Sequence, residues 1–328
     1  MPDIHSIVTH NDFDGLGSAA LLSWAYDIED IRFAGPITIA NAEISVSASD
    51  IVSDLPYPVE CGMWFDHHAG NLVEVKLRNI DPATIPGRFA EAPSCVRVIF
   101  DYLREQFDLP GDFTELTAVS DIIDSFAYPD MEAWRADTPA NRIDRALKSS
   151  SANRHDHDKF LRDVVFLMRD LPLADIAEEP LIVERAGRYA QEEERMFEIL
   201  RTNGKPFPAD SDSELFIVDT TSFINPARLD KKLIGFVKPQ ARGYVEIKPV
   251  FRNGRKSNDV AVSLSLALSM QQAAHHKDMG EIVRVLNIGD GHAGAAAGVV
   301  RCASAFENQK AREELPQKIL DLWIKQGA

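Results

Sequence analysis

His10-Asn11-Asp12-Phe13-Asp14-Gly15 follows directly on the apolar stretch Ile4 to Thr9, and Asp66-His67-His68 closes a second apolar run, Cys61 to Phe65. Each stretch places carboxylate and imidazole groups where a buried strand runs out. Ile4 to Thr9 reads as such a strand, and Leu16 to Tyr26 as an apolar-rich helix entered through a tight Asp-Gly turn. Further short apolar runs lie at Ile37 to Ala40 and Ile51 to Leu55, with helical patterns at Ser94 to Phe107 and Glu115 to Phe126. Strands alternating with helices predict βαβ units around a largely parallel sheet. In such sheets functional groups gather beyond the carboxyl ends of the strands, where both stretches fall.

From Ile176 to Leu200 the sequence turns helical and charged, and Asn203-Gly204-Lys205-Pro206 stops it. Strand-like runs return at Leu215 to Val218, Tyr244 to Phe251 and Asp259 to Leu264. The expected fold class is therefore α/β. It has an N-terminal domain with a largely parallel sheet flanked by helices over 1–175, a connecting helix and linker over 176–210, and a smaller C-terminal α/β domain over 211–328.

The 328 residues suffice for two domains, and 45% apolar with 26% charged residues is the composition of a globular protein. No apolar run approaches the length of a membrane helix, and the N-terminus lacks the features of a secretory signal. Cys61, Cys95 and Cys302 are scattered and odd in number, which argues against a disulfide framework or a zinc knuckle. A cytoplasmic location is expected. With 51 acidic against 35 basic residues and a net charge of −16, extended duplex DNA is not the expected partner. A short anionic substrate held by a local basic patch fits better.

On an extended segment alternate side chains share a side, so His10, Asp12 and Asp14 are expected to converge. Asn11 and Phe13 then point away, and Gly15 permits the turn. A polar strand end with a turn-forming Asp-Gly is the plainer alternative. Adjacent side chains diverge, so at most one or two of Asp66, His67 and His68 should touch a metal, the others orienting it. Together the two stretches supply enough hard ligands for a pair of divalent cations. Near the C-terminus, Gly289-Asp290-Gly291-His292-Ala293-Gly294 would bring backbone N–H groups close to an anion, with His292 as a donor. Alone it reads as a tight turn before an alanine-rich helix.

His-x-Asp-x-Asp-Gly, then Asp-His-His, then Gly-x-Gly-His-x-x-Ala-Ala-x-Gly resembles the DHH phosphoesterase superfamily with its DHH-associated C-terminal domain. The motifs occur in the family's order and span residues 10 to 298. The resemblance implies a metal-dependent hydrolase. Relatives include RecJ-type exonucleases, short-oligoribonucleotide hydrolases, cyclic-dinucleotide phosphodiesterases and exopolyphosphatases. It also implies two further acidic ligands. Asp54, which closes the run from Asp50, is favoured over Asp50, and Asp121 over Asp124, which lies on the same helical face. One cation would then take His10 and Asp12, the other Asp14, His67 and Asp121, with Asp54 bridging both and sharing the catalytic role with His68. His68 would position substrate or protonate the leaving group, or else orient a ligand.

Mixed imidazole and carboxylate ligands suit manganese, with magnesium, cobalt or iron as alternatives. Gly289, Gly291, His292 and Gly294 would hold the far end of the substrate. Ser265 stands where the family carries an arginine, and Arg252, Arg255, Lys256 or Arg301 would have to substitute. The expected activity is cleavage of phosphoester bonds in a short oligonucleotide, dinucleotide or nucleotide bisphosphate. An exopolyphosphatase-like enzyme and a non-catalytic nucleotide- or RNA-binding module are the alternatives. A homodimer is compatible with the resemblance. His155-Asp156-His157-Asp158 reads as a solvated helix start rather than a third metal site.

Overall fold

The computed structural model describes residues 4–208, 214–252, 254–271, 275–291 and 293–327. The chain divides into two compact units, Met1–Ala190 and Gln191–Ala328, and the helix Pro180–Asn203 runs across that division. Among the described residues no helix is long and apolar enough to cross a membrane.

The first unit holds a five-stranded parallel sheet: β1 Ser6–Thr9, β2 Asp30–Phe33, β3 Asp50–Ser53, β4 Met63–Asp66 and β5 Gly87–Phe89, in the order β2-β1-β3-β4-β5. β1, β3 and β4 are buried along their whole length, as strands covered on both faces must be. The chain goes from β1 to one neighbour, β2, and then returns to the other, β3. That reversal opens a crevice beyond the carboxyl ends of β1 and β3, the customary place for a ligand in such sheets.

The helix Phe13–Tyr26 is buried nearly all round and packs against the helices Cys95–Leu103, Asp112–Asp124 and Arg154–Asp170. Its contact with Cys95–Leu103 is close at Gly17, where a Cβ would come within 2.7 Å of Val96 Cγ2.

Two sequence expectations are corrected here. The apolar run at Ile37 is not a strand but the short helix Pro36–Ala40, since Pro36 takes the first helical position where its missing N–H is harmless. The strand lies earlier, at β2, where Ile31 and Phe33 are buried in alternation with polar residues. The charged helix is two helices, Leu173–Ile176 and Pro180–Asn203.

The second unit is a six-stranded mixed sheet: β6 Gly204–Phe207, β7 Leu215–Asp219, β8 Gly243–Arg252, β9 Arg255–Leu266, β10 Gly289–Gly291 and β11 Ala295–Val300, in the order β10-β11-β9-β8-β7-β6. Among the described residues of this sheet, β7 and β8 pair in parallel and the other neighbours antiparallel. Val260, Val262, Leu264 and Leu266 point from β9 into a core closed by Met279, Ile319 and Trp323. Ala261, Ser263 and Ser265 line the other face, as period-two alternation requires.

The alanine-rich stretch after the glycines is thus a strand, not a helix. Gly289 and Gly291 pair with Gly298 and Ala296, and a Cβ on Gly289 would meet Ala297 O at 2.0 Å. The hairpin itself therefore demands the glycine at 289.

Candidate metal centre

At the end of β1, Asp12 caps the helix Phe13–Tyr26 and accepts a hydrogen bond from Gly15 N at 3.0 Å. Asp14 is consequently in the first helical turn, not on an extended segment. It reaches the crevice by helical geometry rather than by strand alternation. Its carboxylate accepts hydrogen bonds from Cys95 N (2.7 Å) and Val96 N (2.9 Å), the first amides of the helix Cys95–Leu103. Such N-terminal amides favour a negative charge. Thr9 Oγ1 donates to Gly15 O, and Ser53 Oγ to Thr9 Oγ1, which ties the ends of β1 and β3 together.

Asp54 follows β3 in the left-handed conformation, φ 57°, with its amide donating to Phe65 O. That conformation disfavours most non-glycine residues and is least unfavourable for Asp and Asn. It turns the carboxylate inward, where Asp54 is 3% exposed. Asp50, the competing candidate, opens β3 and is engaged by Arg32, Ser6 and the Ser47 amide.

His67 follows β4. Its Nδ1 donates to Ala92 O at 3.0 Å, which leaves the lone pair on Nε2 facing the crevice. Nε2 lies 3.7 Å from Asp14 Oδ2, 3.7 Å from Asp54 Oδ1 and 3.5 Å from Asp124 Oδ2, all too long for hydrogen bonds. His10 Nδ1 is 2.7 Å from Asp12 Oδ2 and 3.6 Å from Asp54 Oδ2. Ligand atoms of His10, Asp12 and Asp54, of Asp14, His67 and Asp124, and of Asp54, His67 and His68 lie mutually within 4.8 Å.

Of the residues expected here, Asp121 is the one that the structure does not bring in. Its Oδ1 accepts from Ser94 Oγ at 2.7 Å and its Oδ2 from Arg97 at 2.6 and 3.0 Å. Asp124, one turn further along the same helix, joins the cluster instead. Asp66 is fully buried, holds His68 Nδ1 at 2.9 Å and Asn71 Nδ2 at 2.7 Å, and is not in any of those converging groups.

Burial and the charges of Asp54 and Asp124 push the Asp14 carboxyl well above its ordinary range. Burial and Asp54 likewise raise Asp124 to about 6. Burial opposes charge on the histidines, but the carboxylates outweigh it: Asp12 and Asp54 raise His10 to about 11, and Asp54 and Asp14 raise His67 to about 10. The crowding of like charges and the burial behind these shifts are what a bound cation would relieve. Both Asp54 oxygens and His67 Nε2 are buried with no hydrogen-bond partner. Buried polar atoms of that kind call for an ion or water. The donor set fits divalent cations.

In the second unit, Gly289, Gly291 and Gly294 belong to the β10–β11 hairpin, and His292 lies outside the described residues. Arg252 and Arg301 both engage Asp259, and Lys256 donates to Thr221 O. Sequence reasoning missed Lys231, which donates to Ser263 Oγ at 2.5 Å on the Ser265 face of the sheet. Its signal, a lysine before a short apolar turn, carries nothing without the tertiary contact. His155 and Asp156 are exposed in the first turn of the helix Arg154–Asp170, whose cap is Asn153.

The sheet order and the ligand cluster at its reversal define an α/β protein with the fold of DHH-domain proteins. The structure is similar to that of PggH, a pGpG-specific phosphodiesterase from Vibrio cholerae, with a TM-score of 0.72 and 20% identity, covering 97% of this chain and 99% of that one. It is also similar to RecJ in complex with Mn2+ from Thermus thermophilus, with a TM-score of 0.57 and 13% identity over 99% of this chain and 52% of that one. An exopolyphosphatase-related protein from Bacteroides fragilis has a TM-score of 0.51 at 14% identity, over 98% and 94% of the two chains. No family model and no curated protein matches the chain.

Proposed function

We propose that the chain is a metal-dependent phosphohydrolase that cleaves phosphoester bonds in a linear dinucleotide, a short oligonucleotide or a nucleotide bisphosphate. The observation that carries this reading is the buried pair Asp54 and His67, whose inward atoms have no protein partner at the crevice of a parallel sheet. His10, Asp12 and Asp54 would hold one divalent cation, and Asp14, His67 and Asp124 the other, with Asp54 facing both. Four carboxylates balance two such charges, and manganese suits the mixed donors. Bound there, the pair supplies Lewis acidity toward a phosphoryl oxygen and a water acidic enough to attack near neutral pH.

The remaining work falls to the protein. Asp66 fixes the His68 ring through Nδ1, and although burial opposes it, the Asp66 contact raises the His68 pKa. With Nδ1 on Asp66 and the ring half exposed, Nε2–H is the atom that would pass a proton to the leaving oxygen. The match to a pGpG-specific phosphodiesterase over nearly the full length of both chains supports a linear dinucleotide as first choice.

The test is a hydrolysis panel with manganese or a chelator: a linear dinucleotide, two- to five-nucleotide RNA, adenosine bisphosphate and polyphosphate. Manganese-dependent release from the dinucleotide is expected. Preference for long polyphosphate would favour the exopolyphosphatase reading. No manganese-dependent release from any of them would leave a binding module.

A further inference from the structure

Arg97 is the third residue of the helix whose first two amides grip Asp14. Its own amide is capped by Ser94 Oγ at 3.1 Å, so its backbone belongs to the turn that seats a cluster carboxylate. Its guanidinium lies against Asp121: Nε and Nη2 both donate to Oδ2, while Oδ1 takes Ser94 Oγ. Asp121 stands one helical turn before Asp124, on the same face. The guanidinium gives Asp121 a counter-charge of its own, and among the described residues Asp121 is not in any group whose ligand atoms converge within 4.8 Å. Arginine carries five N–H donors in a rigid fork. Nη1 makes no hydrogen bond among the described residues, and the side chain is 31% exposed. A cationic fork is thus held in place next to the residues proposed to bind metal, with one edge open.

We propose that Arg97 grips a phosphoryl oxygen of the substrate through Nη1, with Asp121 as its positioning residue. The proposal rests on the phosphohydrolase reading above. It also accounts for a carboxylate placed beside the cluster yet not part of it. An arginine already oriented by a carboxylate loses little freedom when it binds an anion, and its planar fork suits phosphate better than an ammonium does.

Arg97→Gln, Arg97→Lys and Asp121→Asn would be compared with the wild-type protein on the linear dinucleotide, with metal content and thermal midpoint measured for each. In parallel, orthophosphate would be titrated calorimetrically into the manganese-loaded proteins. Arg97→Gln should raise KM and the orthophosphate Kd at least tenfold with metal content unchanged. Arg97→Lys should recover only part of that loss. Asp121→Asn, nearly isosteric, should move both constants the same way by a smaller factor while retaining its metal. Unchanged KM and phosphate affinity in Arg97→Gln would overturn the proposal and leave the pair as a tie between two helices. Loss of metal in Asp121→Asn would overturn it as well, as would an absence of phosphate binding by the wild-type protein. If the wild-type protein hydrolyses nothing, the functional reading fails separately, and the titration still decides the role of Arg97.

Discussion

Helical geometry alone does not separate Asp121 from Asp124, because both lie on one face of one helix, and the resemblance favours Asp121. What separates them is Ser94 and Arg97, which arrive from another helix and occupy Asp121. Asp54 closes an apolar run and lies just past the carboxyl end of β3 beside the other cluster residues, whereas Asp50 opens the run and is held by Arg32. Asp124→Asn should therefore lower manganese occupancy and abolish most of the rise in thermal midpoint that manganese produces, with an effect comparable to that of Asp54→Asn. Full metal content in Asp124→Asn, measured after dialysis, would remove it from the ligand set.

At the scale of elements, the parallel sheet and the placement of both motifs were legible from apolar runs bounded by ligands. The start of the first helix was not. Alternation along His10 to Asp14 suggested an extended segment, but Asp12 caps a helix that already includes Phe13, since a capping bond to Gly15 N satisfies an amide the helix leaves open. This turn leaves no room at Gly15, where a Cβ would lie 2.3 Å from the backbone oxygen of His10. Gly15→Ala should destabilise the protein by about 1–3 kcal/mol, the range for forcing extra volume into a packed site. Gly70, in the helix Ala69–Leu77 with open space around it, is the control, and alanine there should stabilise by up to ~1 kcal/mol. Urea midpoints would check both, and equal shifts would show that the clash at Gly15 is relieved.

Over the whole molecule, the net charge of −16 does not describe the local balance that matters. Four acids converge at the crevice of the first unit, and a lysine is partly desolvated on the sheet of the second. Burial lowers the Lys231 pKa to about 8, against the charge of Glu246 and with the help of Lys248. Between that value and the ordinary 10.5, the unfolded chain binds a proton that the folded chain has lost. Stability contributed by this group therefore rises with pH across that window. Lys231→Met should be the more stable protein near pH 7, and its advantage should shrink as pH climbs from about 8 to 10.5. An advantage independent of pH in denaturant titrations would show that Lys231 is not desolvated. The fold class could be read from the sequence, but this lysine could not, because its environment is built by strands and a turn far apart in the chain.

The left-handed backbone at Asp54 narrows that position from two directions. The φ of 57° admits glycine most readily, then asparagine and aspartate. The proposed cations require a carboxylate. Only aspartate stands in both groups, so glutamate, its nearest chemical equivalent, fails there on conformation while asparagine, its nearest shape, fails on charge.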